Sequence, residues 1–317
     1  MVQEQIKTTA AEQAAVSACM RQAQEKLRKE TQISSGRKVK GGVVNGLMIA
    51  SFVIVIGLLA VIIGYICYRG LPKITWQLLS TQPSHLKRTV GILPNILNTI
   101  YIILITLMIV LPLGVGTAIY LTEYATNAKL VRIIEFTTET LSGIPSIIYG
   151  LAGLLIFVQA LHCGTSILAG ALTLVIMTLP TIIRSTQESL KTVPDSYREG
   201  SLALGSGKWH MIRTVVLPSS IDGIVTGCIL AIGRIVGESA ALLFTAGMAN
   251  NIMNFGQAFL PNNAGSTLTV ALYMYAMEQG DFDTAFAIAA ILLILTFIIN
   301  FAAKQVARKL RKNTAAD

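Results

Sequence analysis

Val43 to Tyr68 carries no charged side chain, and neither do Thr89 to Thr122, Thr140 to Ile183 or Thr284 to Ala303. At ~1.5 Å of rise per residue, Val43 to Tyr68 makes a helix about 39 Å long, more than the ~30 Å hydrocarbon core of a bilayer requires. No soluble core needs several such runs. Composition agrees: 53% of the residues are hydrophobic and 13% are charged, where soluble domains carry about 25% charged. The chain is expected to be an integral membrane protein.

Taken in order, Val43 to Tyr68 is the first span, and Arg69 to Arg88 is a loop whose Trp76, with Tyr68 beside it, suits an interfacial belt. Thr89 to Thr122 returns the chain across the membrane; Asn95 and Asn98 within it require partners on other helices or a cavity. Glu123 to Leu130 is a short connector. Val131 to Ile183 holds two spans that turn at Leu161 to Thr165, with His162 marking the turn, and Gly143-Ile144-Pro145-Ser146 predicts a kink in the third span. Thr214 to Phe244 is the fifth span, with two small-xxx-small pairs, Gly223/Gly227 and Gly233/Gly237, that admit a close neighbour. Ala246 to Gly280 follows as an outside region. Its apolar piece, Leu268 to Met277, is too short to cross and reads as a re-entrant or interfacial helix. Thr284 to Ala303 is the sixth span. The expectation is an all-α membrane protein of six transmembrane helices: a polar tail over 1–42, with a surface helix from Ala10 to Lys29, a membrane domain over 43–312, and a short tail over 313–317. The tail is no cleaved signal, because its charged part is long and the apolar run after it exceeds a signal's.

The charge balance is basic, +9 at neutral pH, and 20 of the 25 Lys and Arg fall before Val43, at Lys129 and Arg132, between Arg184 and Arg213, or from Lys304 onward. By the positive-inside rule both termini and the 195–218 loop face the cytoplasm. Nucleic acid is not needed to explain the basicity. Cys19, Cys67, Cys163 and Cys228 lack metal-type spacing and read as small apolar fillers.

Asp195 to Pro218 is the polar stretch with structure of its own. Tyr197 to Leu204 has helical period, Gly205 ends it as a residue that accepts positive φ, and Lys208 to Arg213 forms a second short helix. Pro218 fits the first turn of the next apolar helix. Leu202, Trp209 and Met211 among charges form an exposed, partly apolar knob of the kind that docks in a groove. The plainer reading is an amphipathic connector.

A charge inside a membrane helix costs about 2.5–3.5 kcal/mol on insertion scales, so Arg234 requires an explanation. Two readings fit. One is an intrahelical ion pair with Glu238, four residues on. The other is a conduit residue, whose planar fork of donors suits an oxyanion while Glu238 limits how tightly the anion is held. Glu135 and Glu139 share a helix face; either they are solvated or paired with Lys129 and Arg132, or they line the transport path. No catalytic cluster is visible. The nucleotide-binding pattern G-x-x-x-x-G-K-[ST] fails, since Trp209 follows Gly207-Lys208 and Leu202 stands in place of the first glycine.

Glu199, Gly205 and Leu217-Pro218 resemble, in kind and spacing, the EAA loop of binding-protein-dependent ABC importer permeases; Gly200 and Ser201 depart from the alanines usual there. Ala231 to Ser239, Val110 to Gly114, Ile119 to Tyr124 and Gly143 to Gly150 narrow the resemblance to phosphate permeases of the PstA type, over about Val43 to Lys312. The resemblance implies a type I importer fold in the bacterial inner membrane and ATPase coupling through Arg198, Glu199, Gly205, Trp209, Leu217 and Pro218. It also implies Arg234 and Glu238 on the substrate path. It implies no cofactor on this chain, ATP and Mg being held by a separate ATPase. The implied partners are a second, PstC-like permease, a PstB-like ATPase dimer, a PstS-like phosphate-binding protein and membrane lipid. A permease for molybdate or sulfate, or a secondary transporter or channel, is the alternative.

Overall fold

The computed structural model describes residues 20–21, 35–83 and 90–314. The described residues are helical, with turns and loops and no strand. Two compact units divide the chain, Met1–Gly64 and Tyr65–Asp317. Within the first, the described residues are chiefly the start of helix α1, Ser35–Gly70. Leu47, Phe52, Ile54 and Leu58 on it are all exposed, the pattern of a helix whose solvent is lipid. The surface helix expected over Ala10 to Lys29 lies outside the described residues apart from Met20 and Arg21, which are helical.

In the second unit the short helix α2, Trp76–Ser80, precedes α3, Leu93–Ile119, which runs on into a π-helical turn, Tyr120–Tyr124. Then come α4, Ala128–Ser142, and α5, Ser146–Gly153, continued by a π-helical stretch over Leu154–Ala160. Next is α6, Ile167–Lys191, the helix the unit is built around. Of the most apolar part of α6, 67% is buried, against 44% for α3 and 28% for the last helix. Its inner residues, among them Ile167, Leu174 and Met177, pack with Ile102 and Ile105 of α3. Since lipid is as apolar as leucine, such packing rests on close fit more than on leaving water.

The remaining helices are α7, Asp195–Ala203; α8, Lys208–Met211, continued by a π-helical turn over Ile212–Val216 and by α9, Leu217–Ser219; α10, Ile221–Val236; α11, Ala240–Thr245; α12, Leu268–Tyr273; and α13, Phe282–Thr314. Among the described residues, four helices are long and apolar enough to cross a membrane, and two bent pairs bring the number to six if each pair counts as one span.

Those bends correct the sequence reading of the third and fifth spans. At Gly143–Pro145 the chain turns by 101° between α4 and Ser146–Ala160, far more than a kink. Pro145, at φ −57° and ψ 138°, is extended and opens a new helix. Helix α4 therefore lies across the direction of the third span, with Ile133 and Phe136 exposed. The fifth span breaks by 66° at Ser220, just after Pro218, and Ser189 Oγ donates to the Ser220 carbonyl at 2.7 Å. A side chain of α6 thus satisfies a backbone group at the break.

One glycine pair behaves as read. A Cβ on Gly223 or Gly227 would collide with Ser189 or Ser185, so these glycines let α10 close on α6. Gly233 faces open space instead.

The segment after α11 is tied down by neutral hydrogen bonds. Asn95 donates to Asn250 (2.9 Å) and to the Ser266 carbonyl (3.2 Å), and Asn98 donates to that same carbonyl at 3.2 Å. Leu268 N–H donates to Thr99 Oγ1 at 2.9 Å. The two asparagines thus have the partners on another segment that their position demands. Leu268 to Met277 is a short helix rather than a span, and His162, at φ 51°, sits in the turn between the third and fourth spans. Cys67, Cys163 and Cys228 are free thiols.

Candidate functional site

The loop from Asp195 to Pro218 folds as two short helices about a glycine turn. Gly205 takes φ 84°, a conformation in which a side chain would be strained. The turn is closed by the two serines around it: the Ser206 hydroxyl donates to the Ser201 carbonyl at 2.7 Å, and the two hydroxyls lie 2.7 Å apart. Ser201, which departs from the family's usual alanine, therefore shapes the turn. That role was not legible in the sequence.

The loop has two faces. Outward, Tyr197, Leu202, Leu204 and Trp209 form the apolar knob; Leu204 is 90% and Trp209 61% exposed. Met211 does not join them, being 2% exposed. On a helix two residues apart point to opposite sides, so when Trp209 faces out Met211 must face in. It packs with Ile212 and Val216 against Ala118 and Ile119 of α3 and Leu190 and Val193 at the end of α6. Leu204 takes its place on the knob.

Arg198 and Glu199 divide in the same way. Glu199 is exposed. The Arg198 guanidinium turns inward, with 17% of its side chain exposed. From Nε and Nη2 it donates to Glu123 Oε1 at 3.1 and 3.0 Å, and from Nη2 also to the Leu190 carbonyl at 2.9 Å. From Nη1 it donates to the Val193 carbonyl at 2.7 Å and to Asp195 at 3.0 Å. Glu123 is only 6% exposed. A pair this enclosed repays its desolvation only because its other donors are also satisfied. Sequence reading placed Glu123 in a connector; the signal available was its place in the Ile119 to Tyr124 motif. Leu217 and Pro218 are half-buried at the start of α9.

The second candidate lies on α10. The helix ends at Val236, with Gly237 as its cap, so Glu238 is not one turn beyond Arg234 on a common helix. Glu238 Oε1 instead accepts from the Ala241 N–H at 3.0 Å, capping α11, and its carbonyl accepts from Thr269 Oγ1 at 2.8 Å. The intrahelical ion pair is therefore not formed. Arg234, half-buried, has no hydrogen bond or ion pair among the described residues, and it lies within electrostatic range of Tyr149. Beside it Leu230, Gly233 and Gly237 are exposed. The guanidinium is free to meet something outside this chain.

Glu135 and Glu139 face α6 rather than Lys129 and Arg132. Glu135 accepts from Lys191 at 3.3 Å, and Glu139 lies 3.6 Å from Arg184, which also holds Glu188 at 3.1 Å. These pairs line a groove of about 430 Å³ between α4, α6 and α10.

Two bent spans and an outward helix–glycine–helix knob on an all-helical unit are the architecture of a multi-span membrane protein. Residues 110–312 match the family described as "Binding-protein-dependent transport system inner membrane component", and the chain belongs to that family as a permease subunit of an ABC importer in the bacterial plasma membrane. It is 36% identical to the "Probable ABC transporter permease protein YqgI" of Bacillus subtilis, over 89% of this chain and 99% of that one. It is 33% identical to the "Phosphate transport system permease protein PstA 1" of Mycobacterium tuberculosis, over 85% of this chain and 88% of that one. Among solved structures, a bacterial alginate ABC transporter with its periplasmic protein aligns at TM-score 0.63 and 13% identity, covering 88% of this chain and 99% of that one. The inward-facing MetNI methionine ABC transporter aligns at TM-score 0.53 and 22% identity, covering 69% and 94%. At these identities the two structures establish the fold alone.

Proposed function

We propose that this permease carries inorganic phosphate into the cytoplasm by alternating access. The observation that carries the reading is Arg234, a half-buried guanidinium in an apolar helix, without an ion pair among the described residues and beside the exposed Leu230, Gly233 and Gly237, in a chain 33% identical to a phosphate transport permease. A bare guanidinium offers a fork of donors that a tetrahedral oxyanion can accept. Glu238, committed to capping α11, fixes the geometry beyond the arginine and keeps a negative charge near the path, so that the anion is held weakly and released.

In this reading a PstS-like binding protein delivers phosphate to the face built partly from residues 246–280. A PstC-like permease completes the conduit. A PstB-like ATPase pair binds ATP and Mg, grips the knob of the 195–218 loop, and rocks the spans as it closes. This chain holds no nucleotide and performs no catalysis. Both termini and the loop face the cytoplasm, in keeping with the clustered Lys and Arg.

The test is uptake of labelled phosphate, with sulfate and molybdate alongside, in phosphate-starved cells with and without the chain. Loss of phosphate uptake alone is expected on deletion. Loss of sulfate or molybdate uptake with phosphate unchanged would replace the substrate and leave the permease reading in place.

A further inference from the structure

Both short helices of the 195–218 loop reach the π-helical turn Tyr120–Tyr124 at the end of α3. Arg198, on the first helix, reaches Glu123. Lys208, on the second, lies 5.0 Å above the ring of Tyr124. Met211 packs on Ala118 and Ile119 just before that turn. A π-helical turn is a costly irregularity that tends to mark function, and the buried Thr122 hydroxyl in this one has no partner among the described residues.

From this we infer that Arg198 and Glu123 are positioning residues: a strut through which movement of the coupling loop is delivered to α3. The inference rests on the coupling role of the loop under Proposed function and adds its receiver. Arg198 itself does not face the ATPase. Its fork is consumed by Glu123, Asp195 and the carbonyls of Leu190 and Val193, so the end of α6, the start of α7 and the end of α3 meet at one guanidinium. A displacement of α7 must carry Glu123 with it or break an enclosed ion pair. Packing alone would let the loop slide on α3, whereas directed hydrogen bonds do not.

The test uses the whole importer, this chain with its partner permease, ATPase and binding protein, in proteoliposomes. Glu123→Gln keeps the shape and removes the charge. Expected is normal co-purification of the ATPase and continued ATP hydrolysis, with phosphate moved per ATP hydrolysed falling about tenfold, within the range usual for coupling between sites. Arg198→Lys, which keeps the charge and loses the fork, should lie between the variant and the wild type. Uptake and hydrolysis falling in proportion would mean that the pair only holds the fold, and an unchanged ratio would also overturn the inference. Amide exchange of residues 195–204 in the full chain reads the strut without ATP or substrate. It should rise about tenfold in Glu123→Gln, as expected when a local opening loses an enclosed pair. Unchanged exchange would dismiss the strut. Absence of ATP-dependent uptake by the wild-type assembly would instead count against the importer reading, leaving the exchange result to decide the strut by itself.

Discussion

The loop from Asp195 to Pro218 and the segment from Ala246 to Gly280 both join apolar helices, yet they are held by different means. The first is fastened by a charge: Arg198 to Glu123, with carbonyls filling the rest of the fork. The second is fastened by neutral groups, with Asn95, Asn98 and Thr99 meeting Asn250, Ser266 and Leu268. The first also leaves Leu204 and Trp209 outward, while the second buries Leu268 to Ala271. The difference follows from surroundings. Next to water an ion pair can be solvated while it forms and then enclosed, whereas within an apolar bundle amides and hydroxyls satisfy the backbone at much lower desolvation cost. A charged fastening that opens only as a unit suits a part that must move without deforming. Neutral bonds spread over several residues suit one that must stay.

Predictions that break or sharpen this contrast start from the largest effect, and one exposed pair serves as the control for the enclosed one. Glu199→Lys, on the outward face of the loop, should abolish co-purification of the ATPase while the protein still inserts; undiminished co-purification would remove the loop from the coupling role. Arg198→Ala leaves Glu123 enclosed and unpaired and should cost about 3–5 kcal/mol in chemical denaturation of the detergent-solubilised chain. Lys73→Ala, breaking an exposed pair with Asp283, should leave the same assay almost unchanged, because water screens the pair. Similar losses from the two would erase the special standing of the Arg198 pair. Thr99→Val in the neutral network removes the acceptor of the Leu268 N–H and should cost about 1–3 kcal/mol. Gly227→Ala forces α10 from Ser185 and should cost about 1–3 kcal/mol. Gly233→Ala, in open space, should be neutral or slightly stabilising in the isolated chain.

Much of this was legible beforehand. The glycine turn at Gly205, the turn at His162, the short helix from Leu268 and the need of Asn95 and Asn98 for partners all follow from local chemistry. What was not legible depended on distance or on where a helix stops. Arg198 finds Glu123 75 positions away, beyond any periodicity. Arg234 and Glu238 look like an i,i+4 pair only if the helix continues, and it ends at Gly237. A kink over Gly143 to Ser146 was expected, but the 101° turn found there depends on how α4 lies against α6, to which Glu135 and Glu139 are tied. Met211 was misplaced although helical geometry alone would have put it opposite Trp209.

The central claim is that ATP energy reaches an anion path through the 195–218 loop. Its most direct measurement is phosphate import into proteoliposomes holding the assembled importer, with and without ATP inside the compartment that the ATPase faces, for the wild type and Glu199→Lys. The expected result is import against a gradient that requires ATP and is lost in the variant. Import that runs down its gradient without ATP, and is indifferent to Glu199→Lys, would contradict the account and make the chain a channel or secondary transporter.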